Sequence, residues 1–170
     1  MVIKKYVVTI DNCGWYGMPV ITVNGIINGN ELGMTLPHEH LFMDLSFVCE
    51  TPKEDDKKEY FNEKVSLNNL HFLQYDQGAL RDNLILYDEE TAAAEVSRFK
   101  TAGGNTIVEQ SSIGAGRSPQ ALRNISKRTC VNIVMGGGYY LKQSLPEEIL
   151  RAGDRPKDRS LGQKAVKSRC

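Results

Sequence analysis

Short apolar runs broken by turn formers fill the first forty positions of the chain. Tyr6 to Ile10 and Val20 to Val23 are rich in β-branched residues and predict strands, with Asp11-Asn12-Cys13-Gly14 as a turn between them. Asn24-Gly25, flanked by Val20–Val23 and Ile26-Ile27, is a strong hairpin signal and is expected to form the tip. Asn28-Gly29-Asn30 predicts a second turn, and Gly33 to Leu41 a strand with histidines at its far end. From 50 to 87, charges mix with Asn, Gln and Tyr, and periodicity is weak. That stretch reads as an excursion from a strand end with one or two short helices, in which Glu50 to Glu59 is a solvated charge run.

The pattern sharpens from residue 88. Asp88 can cap a helix over about 89–102, with Ala92, Val96 and Phe99 on one face and Gly103-Gly104 at its end. Asn105 to Gln110 predicts a strand. Ser118 followed by Pro119 opens a helix to about Arg128, with Leu122 and Ile125 facing inward. Val131 to Met135 is the next strand, followed by Gly136-Gly137-Gly138-Tyr139-Tyr140, and Pro146-Glu147-Glu148 opens one more helix. Helices alternating with strands at this length imply an α/β fold with crossover units and a parallel sheet. Arg151 to Cys170 loses apolar periodicity and reads as a basic, disordered tail.

Composition narrows the class. The 170 residues carry 21 Lys and Arg against 21 Asp and Glu, a net charge of zero. A nucleic-acid binder would show a basic footprint, so none is expected as partner. No run approaches the roughly 18 to 20 apolar residues of a membrane span, so no membrane partner is expected either. Met1 to Ile10 is too short and interrupted for a signal peptide, which implies a cytoplasmic address. Cys13, Cys49, Cys130 and Cys170 form no CxxC pair; they read as reduced thiols, the first three buried.

Candidate chemistry concentrates at His38-Glu39-His40. Side chains alternate along a strand, so His38 and His40 are expected on one face and Glu39 on the other. Two neutral imidazoles so placed suit zinc or a related divalent metal. By spacing alone, a pair of surface or satisfied core histidines is the simpler reading. Glu109 closes a predicted strand, either as a buried carboxylate behind a ligating histidine or as a plain sheet-end residue. His71, in the irregular excursion, reads as a surface histidine.

The setting of the histidines changes their weight. Gly33-Met34-Thr35-Leu36-Pro37-His38-Glu39-His40-Leu41 resembles the signature at the first barrel strand of the phosphotriesterase family, within the amidohydrolase superfamily. Thr22 to Ile26 is similar to the hairpin that precedes that barrel. Gly103 to Glu109 is similar to its second strand, Ile113 to Ser118 to the turn that follows, and Val131 to Tyr140 to its third strand. The resemblance implies residues 19–150 as a partial hydrolase domain. Residues 1–18 are a leading segment of unclear role, and 151–170 the tail. It further implies the N-terminal part of a TIM-type (β/α)8 barrel behind a short hairpin, with about three barrel strands.

In that family the His-x-His pair helps hold one of two metal ions, and a metal-bound hydroxide attacks a phosphotriester, a lactone or a related ester. His38 and His40 are thus the implied ligands, and Tyr139 and Tyr140 fall where the family lines its substrate pocket. A loop aromatic pair packing on the sheet is the alternative for the two tyrosines. Such a barrel needs about 250 residues, and no histidine follows Tyr140. The chain is therefore expected to be a truncated or short form, inactive alone, that takes a small-molecule ester only when completed. Its expected protein partner is a second copy or a full-length relative.

Overall fold

The computed structural model describes residues 17–151, so the strand and turn expected over 6–14 and the basic tail lie outside the described residues. Strands β1 (Pro19–Thr22) and β2 (Gly25–Asn28) pair antiparallel, with Thr22 opposite Gly25. The hairpin is there, but its tip is Val23-Asn24, one residue earlier than the Asn-Gly signal. The Thr22 side chain accounts for the slip. Its hydroxyl donates to the Gly25 carbonyl at 2.8 Å and accepts from the Asn24 N–H at 3.2 Å. Gly25 then opens β2 at φ 136°, which glycine alone adopts cheaply. The tip also docks on the rest of the fold. Val23 N–H donates to the Ile133 carbonyl at 2.9 Å, and Asn24 Nδ2 to Ser126 Oγ at 2.8 Å. A short 3-10 turn, Gly29–Glu31, follows, and the Glu31 carboxylate accepts from the Asn28 N–H at 2.7 Å.

Strand β3 (Thr35–Glu39) is shorter than the sequence suggests and ends before His40. Strand β4 (Met43–Asp44) comes next, and the excursion then holds one short helix, α1 (Asp55–Phe61), and 3-10 turns at Leu70–Gln74 and Arg81–Leu84. It returns as β5 (Ile85–Leu86), antiparallel to β4. Helix α2 (Glu89–Thr101) begins where expected, because the Asp88 carboxylate accepts from the Glu90 N–H at 3.1 Å. Strand β6 (Thr106–Glu109), helix α3 (Pro119–Thr129), strand β7 (Asn132–Met135) and helix α4 (Glu147–Arg151) complete the alternation. Ser118 precedes Pro119 as predicted but makes no capping bond with its side chain.

The sheet is parallel, in the order β3-β6-β7. Its core lies between one sheet face and helices α2 and α3. Leu36, Ile107 and Ile133 meet Val96, Leu122 and Ile125 there, all buried. Burial of side chains of this size is worth about 1.5–3 kcal/mol each, the main term that holds strands and helices together. The thiols depart from expectation. Cys49 is half-buried and Cys130 exposed. Cys130 sits at the C-terminal cap of α3 with φ 55°, between the buried Thr129 and Val131. Among the described residues, no helix is long and apolar enough to cross a membrane.

Candidate metal-ligand site

The histidines emerge at the C-terminal end of β3 through an irregularity. Thr35 and Leu36 lie opposite Thr106 and Ile107, but Glu39 lies opposite Glu109. Between these points β3 takes one residue more than β6, which makes a bulge at Pro37-His38. Pro37 has no N–H to give the ladder, so a break there is inexpensive. Strict alternation therefore does not carry the histidines to a common face. The bulge and the chain beyond the strand do so instead, and the His38 and His40 ring centroids stand 5.5 Å apart with their planes at 67°.

His40 is tethered. Its Nδ1 lies 2.9 Å from Ser111 Oγ, and the same hydroxyl donates to the Phe42 carbonyl at 2.5 Å. Ser111 follows β6 by two residues and is fully buried, so it clamps the loop after β3 to the loop after β6. Burial and the neighbouring His38 pull the His40 pKa below its ordinary value, against Glu39, which raises it. The neutral ring that metal binding requires is therefore the favoured form at neutral pH.

Glu109 is fully buried at the end of β6. Oε2 accepts from the Ser111 N–H at 3.2 Å, and Oε1 has no hydrogen-bond partner. Burial pushes its carboxyl above the ordinary range, against hydrogen bonds from Ser111 and Leu41 and the Arg117 charge. Glu109 thus stands one step behind Ser111 rather than against a histidine ring. Arg117 reaches back to donate to the Gly136 carbonyl at 3.0 Å. Its loop lies tight against β4: the Asp44 N–H donates to the Ala115 carbonyl at 3.1 Å, and a Cβ on Gly116 would come within 2.4 Å of the Asp44 nitrogen.

The tyrosines lie beyond β7. Tyr139 pairs with Ile113, and the Tyr140 N–H donates to the Ile113 carbonyl at 2.8 Å. The Tyr140 ring packs edge-on against Phe47 at 6.1 Å. His71 is exposed and tilted on Phe72. A cleft of 640 Å³ borders His40 on the α2 side, between Leu41, Leu86 and Tyr87 and the helix residues Thr91 and Glu95.

Two imidazole nitrogens fit half of a zinc coordination sphere. Among the described residues, no group of three or more His, Cys, Asp or Glu side chains gathers in a way that could hold a metal ion. Sequence reasoning passed over Ser111, and its signal was faint: a serine pair directly after a strand that ends in a carboxylate.

Comparisons with known proteins bear on the family and the fold. The model of the phosphotriesterase family matches residues 18–159. An N-acetyltaurine hydrolase of Dictyostelium discoideum is 36% identical over 148 residues, covering 75% of this chain and 40% of that protein. A phosphotriesterase-related protein of Nematostella vectensis is 40% identical over 134 residues, covering 77% and 38%. Among solved structures, a resiniferatoxin-binding protein of Rhodobacter sphaeroides aligns with TM-score 0.74 and 38% identity, over 82% of this chain and 39% of that one. A Listeria monocytogenes lactonase, at TM-score 0.51 and 23% identity, shares the fold over 81% of this chain and 35% of its own. The chain spans about two fifths of the length of these curated relatives. With a family match over most of its length and relatives above 30% identity, this chain belongs to the phosphotriesterase family.

Proposed function

We propose that the chain is the N-terminal part of a divalent-metal-dependent hydrolase built as a (β/α)8 barrel, and that it carries half of one metal's ligand set in His38 and His40. The observation that supports this reading is the pair of imidazoles 5.5 Å apart at the C-terminal end of a parallel strand, inside the family-matched segment. Active centres of such barrels form at that end. Zinc is the metal best suited to two neutral imidazoles. A pair of cations lowers the pKa of a shared water and polarises the electrophile. The chain's own residues bind and orient. His38 and His40 offer nitrogen, Ser111 holds His40, and Tyr139 and Tyr140 form part of the rim beyond β7. The substrate class is a small ester, lactone or N-acyl bond, in keeping with relatives described as lactonase and N-acetyltaurine hydrolase. A cytoplasmic setting accords with the free thiols of Cys49 and Cys130 among the described residues.

Equilibrium dialysis against zinc, read by elemental analysis, tests the assignment. The chain is expected to take up one ion weakly, and the His38→Ala, His40→Ala double variant none. Equal uptake by both would remove the histidines from the ligand set. Zinc-loaded chain is expected to hydrolyse aryl esters, lactones and N-acetyltaurine no faster than the double variant. Turnover lost on mutating the pair would show a complete site and overturn the partial-site reading.

A second reading is a non-catalytic short form that associates with a second copy or a full-length relative. It is favoured by the sheet order, in which β3 and β7 are the outer strands among the described residues. Sedimentation showing a stable monomer with a cooperative thermal transition would exclude it.

A further inference from the structure

We propose that Ser111 is a positioning residue that fixes the tautomer of His40, keeping the proton on Nδ1 and the lone pair of Nε2 free for a ligand. The inference rests on the ligand reading of His40 only for its purpose; the hydrogen bonding stands by itself. The argument is a count of hydrogens. A serine hydroxyl has one hydrogen to give and two lone pairs. The Phe42 carbonyl, 2.5 Å from Ser111 Oγ, can only accept. The hydroxyl hydrogen therefore goes to an acceptor, the Phe42 carbonyl or the adjacent Glu109 carboxylate, and in neither case to His40. His40 Nδ1, 2.9 Å from the same oxygen, can then join it only as a donor. In a neutral imidazole a proton on Nδ1 leaves Nε2 unprotonated.

Ser111 is well placed to enforce this choice. Its side chain is fully buried, so water does not compete for the hydroxyl. Its own N–H donates to Glu109 Oε2 at 3.2 Å, and Glu109 is itself buried, which anchors the serine backbone at the end of β6. Two partners of the hydroxyl, the His40 ring and the Phe42 carbonyl, belong to the loop after β3, and the Glu109 carboxylate lies beside it on β6. One side chain from the second parallel strand thus sets both the path of that loop and the protonation of the ring it carries. Partners of this kind behind a ligating histidine typically change metal affinity about 10–100-fold when removed.

Long-range 1H–15N correlation spectra of the full chain, without metal and above the titration range of the histidines, test the proposal directly. His38 and His71 serve as internal references. His40 is expected to show the Nδ1–H pattern in the unmodified chain and to move toward Nε2–H in Ser111→Ala, with Ser111→Thr restoring the Nδ1–H pattern. In parallel, Ser111→Ala is expected to weaken zinc binding about 10–100-fold. An Nε2–H pattern for His40 in the unmodified chain would overturn the proposal. So would an unchanged Nδ1–H pattern in a folded Ser111→Ala. If Ser111→Ala does not fold, the pattern in the unmodified chain still decides. The Nδ1–H pattern together with no zinc uptake by the unmodified chain would uphold the tautomer control and remove the metal reading of His40.

Discussion

The two faces of the parallel sheet are built from the same three strands and end in different conditions. On the helix side, Ile107 and Ile133 lie fully buried against α2 and α3, and the packing closes on itself. On the other side and at the C-terminal rim, Pro37 and His38 are exposed, and Val108 and Val134 are only half-buried. One face supplies stability from residues within the chain, while the other and its rim carry the histidine pair to which we assign a ligand role. The packed core and the proposed site are thus separable here, because Ile107 and Ile133 face the helices while the histidines leave β3 through its bulge and beyond its end.

The sharpest way to break this contrast is to hollow the helix side. Leu122→Ala, at a fully buried position in α3, is expected to cost about 2–5 kcal/mol in a urea melt. A loss no larger than that of His38→Ala would mean that the helix face is not where the fold is held. The rim has a buried group of its own in Glu109, whose carboxyl is raised by burial. The folded state keeps that proton to higher pH than the unfolded chain does, so stability present at acid pH is lost as pH rises above the ordinary glutamate range. Glu109→Gln is expected to gain stability relative to the unmodified chain as pH is raised from 4 through neutrality, measured as the difference between their urea midpoints. A difference that stays flat or reverses would mean that the carboxyl is solvated or paired in solution.

Capping distinguishes the two helices. Asp88→Ala should lower the melting temperature modestly, because Asp88 accepts from the Glu90 N–H, whereas Ser118→Ala should leave it unchanged, because Ser118 makes no capping bond. Equal effects would show that the capping geometry differs in solution. A small change is also expected from His38→Ala. At an exposed rim position it should shift stability by no more than about 0.5 kcal/mol while reducing zinc uptake.

The same division sets what could be read from the sequence. The α2-β6-α3-β7 alternation was legible because each element is local. Val96 and Phe99 repeat at helical spacing, Asp88 and Pro119 mark the helix starts, and Gly103-Gly104 ends α2. The hairpin was legible to within one residue, and the slip came from a Thr22 side-chain bond that no dipeptide rule includes. At the rim, periodicity placed both histidines on one strand, but Pro37 interrupts the ladder and His40 lies past its end. Ser111 stayed invisible because its partner is 71 positions away. Glu109 is visible as a strand-end carboxylate, yet the groups that meet it, Leu41 after β3 and Arg117 in the loop after β6, stand in no helical or strand period with it. Identity of a site follows from short motifs, while its internal wiring follows from contacts between distant loops.

The docked hairpin tip has a consequence in time. Asn24 binds Ser126 across 102 positions, and Val23 binds the backbone of β7. During synthesis the hairpin emerges before the sheet, but the surface that receives it is complete only when α3 and β7 have been made. At about 5–20 residues per second, that interval is roughly 5–20 seconds. Throughout it the tip has no docking partner, and Ile21 and Ile26, which remain exposed even in the finished fold, face the cellular milieu beside it. A hairpin made early is thus docked late, and residues 19–28 of the newborn chain stay open to mispairing or chaperone capture until β7 is made.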